Sequence, residues 1–108
     1  MTHHVFVYGT LRPGDVRWHV LEPFTIDGGM PDSVPGELFD TGLDYPAAVF
    51  GPGGKILGRT FALLEATLER AIAVLDEVED VVGGEYHRVT VRTHLGLEAW
   101  AYAYGAGL

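Results

Sequence analysis

The residue best placed to do chemistry is Glu79. From Ala66 to about Glu79, apolar residues recur at Leu68, Ala71, Ile72, Leu75 and Val78, the spacing of a helix with one apolar stripe. At about 100° per residue, Glu79 falls between the directions of Leu68, Ile72 and Leu75, whereas Glu77 points almost opposite and Asp76 and Asp80 lie on the flanks. A carboxylate turned toward a core must raise its pKa, gather donors or sit at a cavity, and each outcome suits a general acid/base near neutral pH. A second reading stays open, in which the helix frays by residue 78 and Glu79 is a solvated turn residue.

The other stretch with chemical potential is Val5-Phe6-Val7-Tyr8-Gly9-Thr10-Leu11-Arg12-Pro13-Gly14. Its apolar run, rich in valine and aromatics and broken by glycine, predicts a buried central strand ending in a tight turn. Main-chain N–H groups after such a turn lack ladder partners, so they bond to side chains, water or a ligand. The turn is therefore either a plain strand end or a cradle for an anion or carbonyl. Tyr86, His87 and Arg88 follow a glycine turn, with Tyr86 and Arg88 on one strand face. There the alternatives are a tyrosine packed at a sheet edge with Arg88 paired to an acid, or part of a pocket.

These residues need elements to hold them. Asp15 to Leu21 predicts either a short helix limited by Pro23 or an irregular excursion, and Gly28 to Pro35 has the composition of a loop or an interrupted strand. Gly36–Asp40 and Ala47–Phe50 read as short strands separated by a turn through Gly42 and an extended Tyr45-Pro46 step, with Gly51–Gly54 as a hairpin connection. Ile56–Leu64 is a longer strand, in which Gly58 predicts a bulge or a close backbone contact. The helix that carries Glu79 has Thr67 as its best N-cap candidate and Gly83-Gly84 as its stop. Tyr86–Leu95 and Glu98–Tyr104 alternate as strands joined at Gly96, the second with Ala99, Ala101 and Ala103 on one face and Trp100, Tyr102 and Tyr104 on the other. Small side chains on one face let a neighbouring layer approach closely. About six strands and one main helix predict an α+β fold with a small mixed or barrel-like β-sheet.

Bulk properties narrow the functional classes. The 108 residues suffice for a single domain, 1–108, and the hydrophobic fraction of 47% fits a packed globule. Seven basic against fifteen acidic residues, a formal charge of -8, argue against nucleic acid or an anionic membrane as partner. With no cysteine, thiolate nucleophiles, disulfides and Cys-based zinc sites are excluded. His3, His4, His19, His87 and His94 show no metal-ligand spacing with carboxylates, so no metal site is expected. Neither a nucleophile elbow nor a phosphate-binding glycine loop is present. A soluble, cytoplasmic protein is expected, monomeric or a weak homodimer.

Taken together, Val5–Leu11 with its Tyr8-Gly9-Thr10-Leu11 turn, Gly36–Asp40 with Tyr45-Pro46, and Leu75-Asp76-Glu77-Val78-Glu79 with Tyr86-His87-Arg88 resemble the gamma-glutamylcyclotransferase-like superfamily. The likeness is closest to its small gamma-glutamylamine cyclotransferase branch and spans nearly the whole chain. The resemblance implies a small mixed barrel with flanking helices. It also implies that Tyr8, Gly9, Thr10 and Leu11 bind the glutamyl part of a small-molecule substrate, that Glu79 is the catalytic acid/base and that Tyr86 walls the pocket. The implied reaction cyclises a gamma-glutamyl amine or peptide to 5-oxoproline without a cofactor. Val78 stands where the family usually has an aromatic, and Gly83-Gly84-Glu85 where it usually has a proline before the Tyr-x-Arg, which implies a wider or looser pocket. The alternative function is a non-catalytic small-molecule binding domain using the same pocket.

Overall fold

A computed structural model describes residues 2–8, 18–40, 46–83 and 86–104, with the main chain alone described at 18, 39, 40, 46, 47, 78–83, 86, 87, 103 and 104. In chain order the elements are β1 (His4–Val7), a single helical turn α1 (Trp18–Leu21), β2 (Met30–Val34), β3 (Gly36–Asp40), β4 (Pro46–Phe50), β5 (Ile56–Ala62), α2 (Leu68–Gly83), β6 (Tyr86–Arg92) and β7 (Glu98–Tyr104). One sheet has the order β2-β5-β1-β7-β6, while β3 and β4 form a separate two-stranded ribbon. Every neighbouring pair is antiparallel except β1 and β7, which run parallel with Val5 opposite Trp100. The expected α+β class and central position of the first strand hold.

Strand alternation divides the core into two layers. Val5, Val7, Phe61, Leu63 and Tyr102 face the helical side, where Leu68 and Leu75 of α2 cover them. Phe6, Val34, Ile56, Ala99 and Ala101 face the ribbon, which contributes Ala48. Ala48, Ala99 and Ala101 are each fully buried, so the alanine face of β7 is where the ribbon lies close, as the small side chains predict. Gly58 makes the other close approach. A Cβ there would stand 2.7 Å from Phe6 Cζ and would collide with the Val7 carbonyl oxygen.

The two edges of the sheet meet. The His94 N–H donates to the Ser33 carbonyl at 2.8 Å, and the Leu95 N–H donates to Asp32 Oδ1 at 3.2 Å. These bonds join the middle of β2 to the chain leaving β6, the stagger that closing a sheet into a barrel requires. The barrel-like expectation is met in this partial form.

Three local expectations are corrected, and the expected helix stop at Gly83 holds. Gly28–Pro35 contains a regular strand, β2, paired along its length with β5. Pro31 is tolerated because β2 is an edge strand, where a missing N–H removes no ladder bond on the open side. Gly51–Gly54 is not a hairpin, since β4 pairs with β3 and the glycine segment carries the chain from the ribbon back to the main sheet, with φ +86° at Gly53 and +66° at Gly54. Thr67 does not cap α2. It lies in a 3-10 turn, Glu65–Thr67, and its buried hydroxyl has no hydrogen-bond partner among the described residues. The helix also runs beyond Glu79 to Gly83, so the main chain at Glu79 is helical rather than frayed. Among the described residues no helix is long and apolar enough to cross a membrane.

Candidate active site

Four element ends converge. Because β1 and β7 are parallel, Tyr8, which follows β1, lies toward the same end of the sheet as Tyr104. Antiparallel pairing sets Tyr86, the first residue of β6, opposite Tyr104 at that end. Only two residues separate Gly83 from Tyr86, so the last turn of α2 is tied there too. Glu79 lies in the last two turns of α2, four residues beyond Leu75, which is fully buried against the sheet. Of the sequence-predicted site, Gly9, Thr10 and Leu11 lie outside the described residues, as do the side chains of Glu79 and Tyr86.

Tyr8 is fully described. Alternation from Phe6 turns its ring to the ribbon side, where it lies 6.3 Å from the ring of Phe6 and meets Phe50 edge-on at 6.2 Å. Its hydroxyl donates to the main-chain carbonyl of Tyr102 on β7. The side chain of Tyr102 points to the opposite, helical face, and its hydroxyl donates to Asp76 Oδ1 of α2 at 2.7 Å. Arg88 Nε donates to the same oxygen at 3.0 Å. The Arg88 guanidinium lies 5.4 Å from the centre of the Trp100 ring, at a distance suited to a cation–π contact. A single residue, Tyr102, thus bonds through its main chain to the end of β1 and through its side chain to α2.

The acid that pairs with Arg88 is Asp76, which the helical periodicity marks only as a flanking residue. The signal that could have found it is cross-strand register, because Arg88 stands opposite Tyr102 and both reach the same carboxylate. Sequence reasoning also passed over Asp32. Its side chain accepts from the Ser33 N–H at 2.8 Å, the Thr60 hydroxyl at 2.8 Å and the Leu95 N–H at 3.2 Å, at the far end of β6 from Tyr86. Burial alone would raise the Asp32 pKa, but hydrogen bonds from Thr93, Thr60, Ser33 and Leu95 outweigh it and hold the carboxyl below its ordinary range. Among the described residues no group of His, Cys, Asp or Glu is placed to hold a metal ion.

Comparison with known proteins gives the lineage of this arrangement. The family model for gamma-glutamyl cyclotransferase, AIG2-like, matches residues 5–107. A Vibrio cholerae protein named "Putative gamma-glutamylcyclotransferase" is 38% identical over 104 residues, which cover 96% of this chain and 84% of that protein. The gamma-L-glutamyl-butirosin B gamma-glutamyl cyclotransferase of Niallia circulans is 31% identical over 112 residues, covering 94% of this chain and 66% of that protein. Among solved structures, an uncharacterised protein of Pyrococcus horikoshii superposes with a TM-score of 0.69 at 28% identity, over 97% of this chain and 80% of that one. A match that runs from the first strand past the last, together with the shared fold, makes the chain a member of the gamma-glutamyl cyclotransferase, AIG2-like family.

Proposed function

We propose that the protein is a gamma-glutamylcyclotransferase that converts a gamma-glutamyl amine or peptide to 5-oxoproline and releases the amine. The observation that carries this reading is the family match over residues 5–107, which takes in both the Tyr8–Leu11 segment and the Leu75–Glu79 motif. The helical main chain at Glu79 supports it further, because the turn keeps the register that sets Glu79 with Ile72 and Leu75.

In this reaction the substrate's α-amine attacks its own γ-carbonyl carbon. One C–N bond forms, the bond to the leaving nitrogen breaks, and a proton moves from the first nitrogen to the second. Glu79 takes that proton from the attacking amine and returns it to the departing one, which asks one carboxyl to serve as base and then as acid. Main-chain groups of Tyr8, Gly9, Thr10 and Leu11 hold the glutamyl part and steady the oxyanion, while Tyr86 walls the pocket. No cofactor is needed, because nucleophile and electrophile belong to one molecule and binding has only to fold it into a ring-closing conformation.

The test is 5-oxoproline release by the purified protein from a panel of gamma-glutamyl amines, gamma-glutamyl dipeptides and glutathione, with Glu79→Gln in parallel. Product from one class, lost in a folded Glu79→Gln, is the expected result and names the leaving group. A folded protein that binds panel members without turnover would instead assign the pocket to binding alone.

A further inference from the structure

We infer that Asp76 is a positioning residue for this reaction, fixing where the second half of α2, and Glu79 with it, stands against β6 and β7. The inference rests on the cyclotransferase reading above. Leu68, Ala71 and Leu75 fix the first part of the helix in the core, and Leu75 is the last described side chain of α2 that is buried. The next residue is Asp76, and its Oδ1 gathers both the Tyr102 hydroxyl at 2.7 Å and Arg88 Nε at 3.0 Å.

Two donors from adjacent strands on one oxygen fix both the rotation and the height of the helix at that point. Glu79 follows three residues later, about 4.5 Å along the axis at about 1.5 Å per residue. Tyr102 is held in turn, being 5% exposed and accepting the Tyr8 hydroxyl at its carbonyl. The path Asp76–Tyr102–Tyr8 therefore links the helix bearing the acid/base to the strand that leads into Gly9–Leu11. The side chains of Arg88 and Asp76 are 34% and 42% exposed, so the ion pair adds little to stability. What the cluster supplies is geometry, and ring closure is sensitive to geometry.

Steady-state kinetics on Asp76→Ala, Asp76→Asn and Tyr102→Phe, each assayed well below its own melting temperature, test the inference. Asp76→Ala removes both bonds and is expected to lower kcat about tenfold to a hundredfold with KM within about threefold, the signature of a misplaced acid/base. Asp76→Asn keeps an acceptor oxygen at the same place and is expected to recover kcat to within about threefold of the wild type. Tyr102→Phe, which deletes one donor and keeps the ring, is expected to fall between them, and it carries the test if Asp76→Ala does not fold. Wild-type kcat in a folded Asp76→Ala, a loss confined to KM, or an Asp76→Asn as slow as Asp76→Ala would each overturn the positioning role while the cyclotransferase reading stands. Failure of the folded wild type itself to release 5-oxoproline would overturn both.

Discussion

Replacing Asp32 separates the acceptor function of a buried carboxylate from its charge. Four donors converge on this side chain, and it is 8% exposed. Asp32→Ala leaves the Ser33 and Leu95 N–H groups facing an emptied site they cannot turn away from, while the Thr60 and Thr93 hydroxyls can rotate. At about 1–3 kcal/mol for each buried donor left unpaired, the two main-chain groups set a loss of about 3 kcal/mol. Asp32→Asn behaves differently, because both N–H bonds end on Oδ1 while the Thr60 hydroxyl, which can rotate, bonds Oδ2. An asparagine oriented with its carbonyl at Oδ1 keeps the first two, and the Thr60 hydroxyl rotates to accept from the new amide. The loss is then the charge assistance alone, about 1–1.5 kcal/mol.

The pH dependence follows from the same bonds. A folded-state pKa held below the unfolded value means that this group's contribution is fully present above about pH 3.9 and fades as pH falls through the folded-state pKa. Urea denaturation at pH 7, 5, 4 and 3 is expected to show the wild-type advantage over Asp32→Asn constant down to about pH 4 and shrinking below it. Equal losses for the two variants at pH 7, or an advantage over Asp32→Asn that stays flat to pH 3, would refute the reasoning.

Gly58→Ala is expected to cost about 2–3 kcal/mol in urea midpoint, since its Cβ has no room between the Val7 carbonyl and the Phe6 ring; a neutral effect would mean β1 and β5 are less closely packed at that point. Ala101→Leu is expected to destabilise by about the same amount by wedging the ribbon from β7, with near-ultraviolet circular dichroism losing its aromatic signal in step. Arg88→Met is expected to cost under about 1 kcal/mol, and a double-mutant cycle with Asp76→Ala reads their coupling directly. Glu79→Gln is expected to keep the wild-type melting temperature, whereas a collapse would mark Glu79 as a structural residue.

Local pattern carried the elements whose partners it did not need to know. The apolar run of β1, the 3.6-residue period of α2 and the alternation of β7 each state their own structure, and the last also announces a close neighbour through Ala99 and Ala101. Pairing across the chain is different. Nothing local to Pro35 tells that β2 before it and β3 after it enter different sheets, so the ribbon and the role of the Gly51–Gly54 connection emerge only with the topology. Asp32 was hidden for the same reason, since an acid in a segment rich in Gly and Pro reads as loop until its strand is known to meet the chain beyond β6. At the candidate site, helical arithmetic turned Glu79 toward the apolar stripe but left a solvated turn residue open, and its side chain lies outside the described residues. The Asp76–Tyr102–Arg88 cluster required the register of β6 on β7, which the short Thr93–Leu97 connection sets.

The parallel pairing of β1 with β7 also constrains how the molecule is made. The strand at the centre of the sheet leaves the ribosome well ahead of its partner on one side, Glu98–Tyr104, which is more than ninety residues behind it. Until then β1 can zip onto β5 but keeps an open, apolar edge, the kind of surface that recruits other chains. Pairing at such sequence separation slows folding, so completion of the sheet waits on the last strand. A nascent chain arrested before Glu98 is therefore expected to protect the β1 amides that face β5 but to leave those on the opposite edge exchanging freely with solvent until β7 has been delivered.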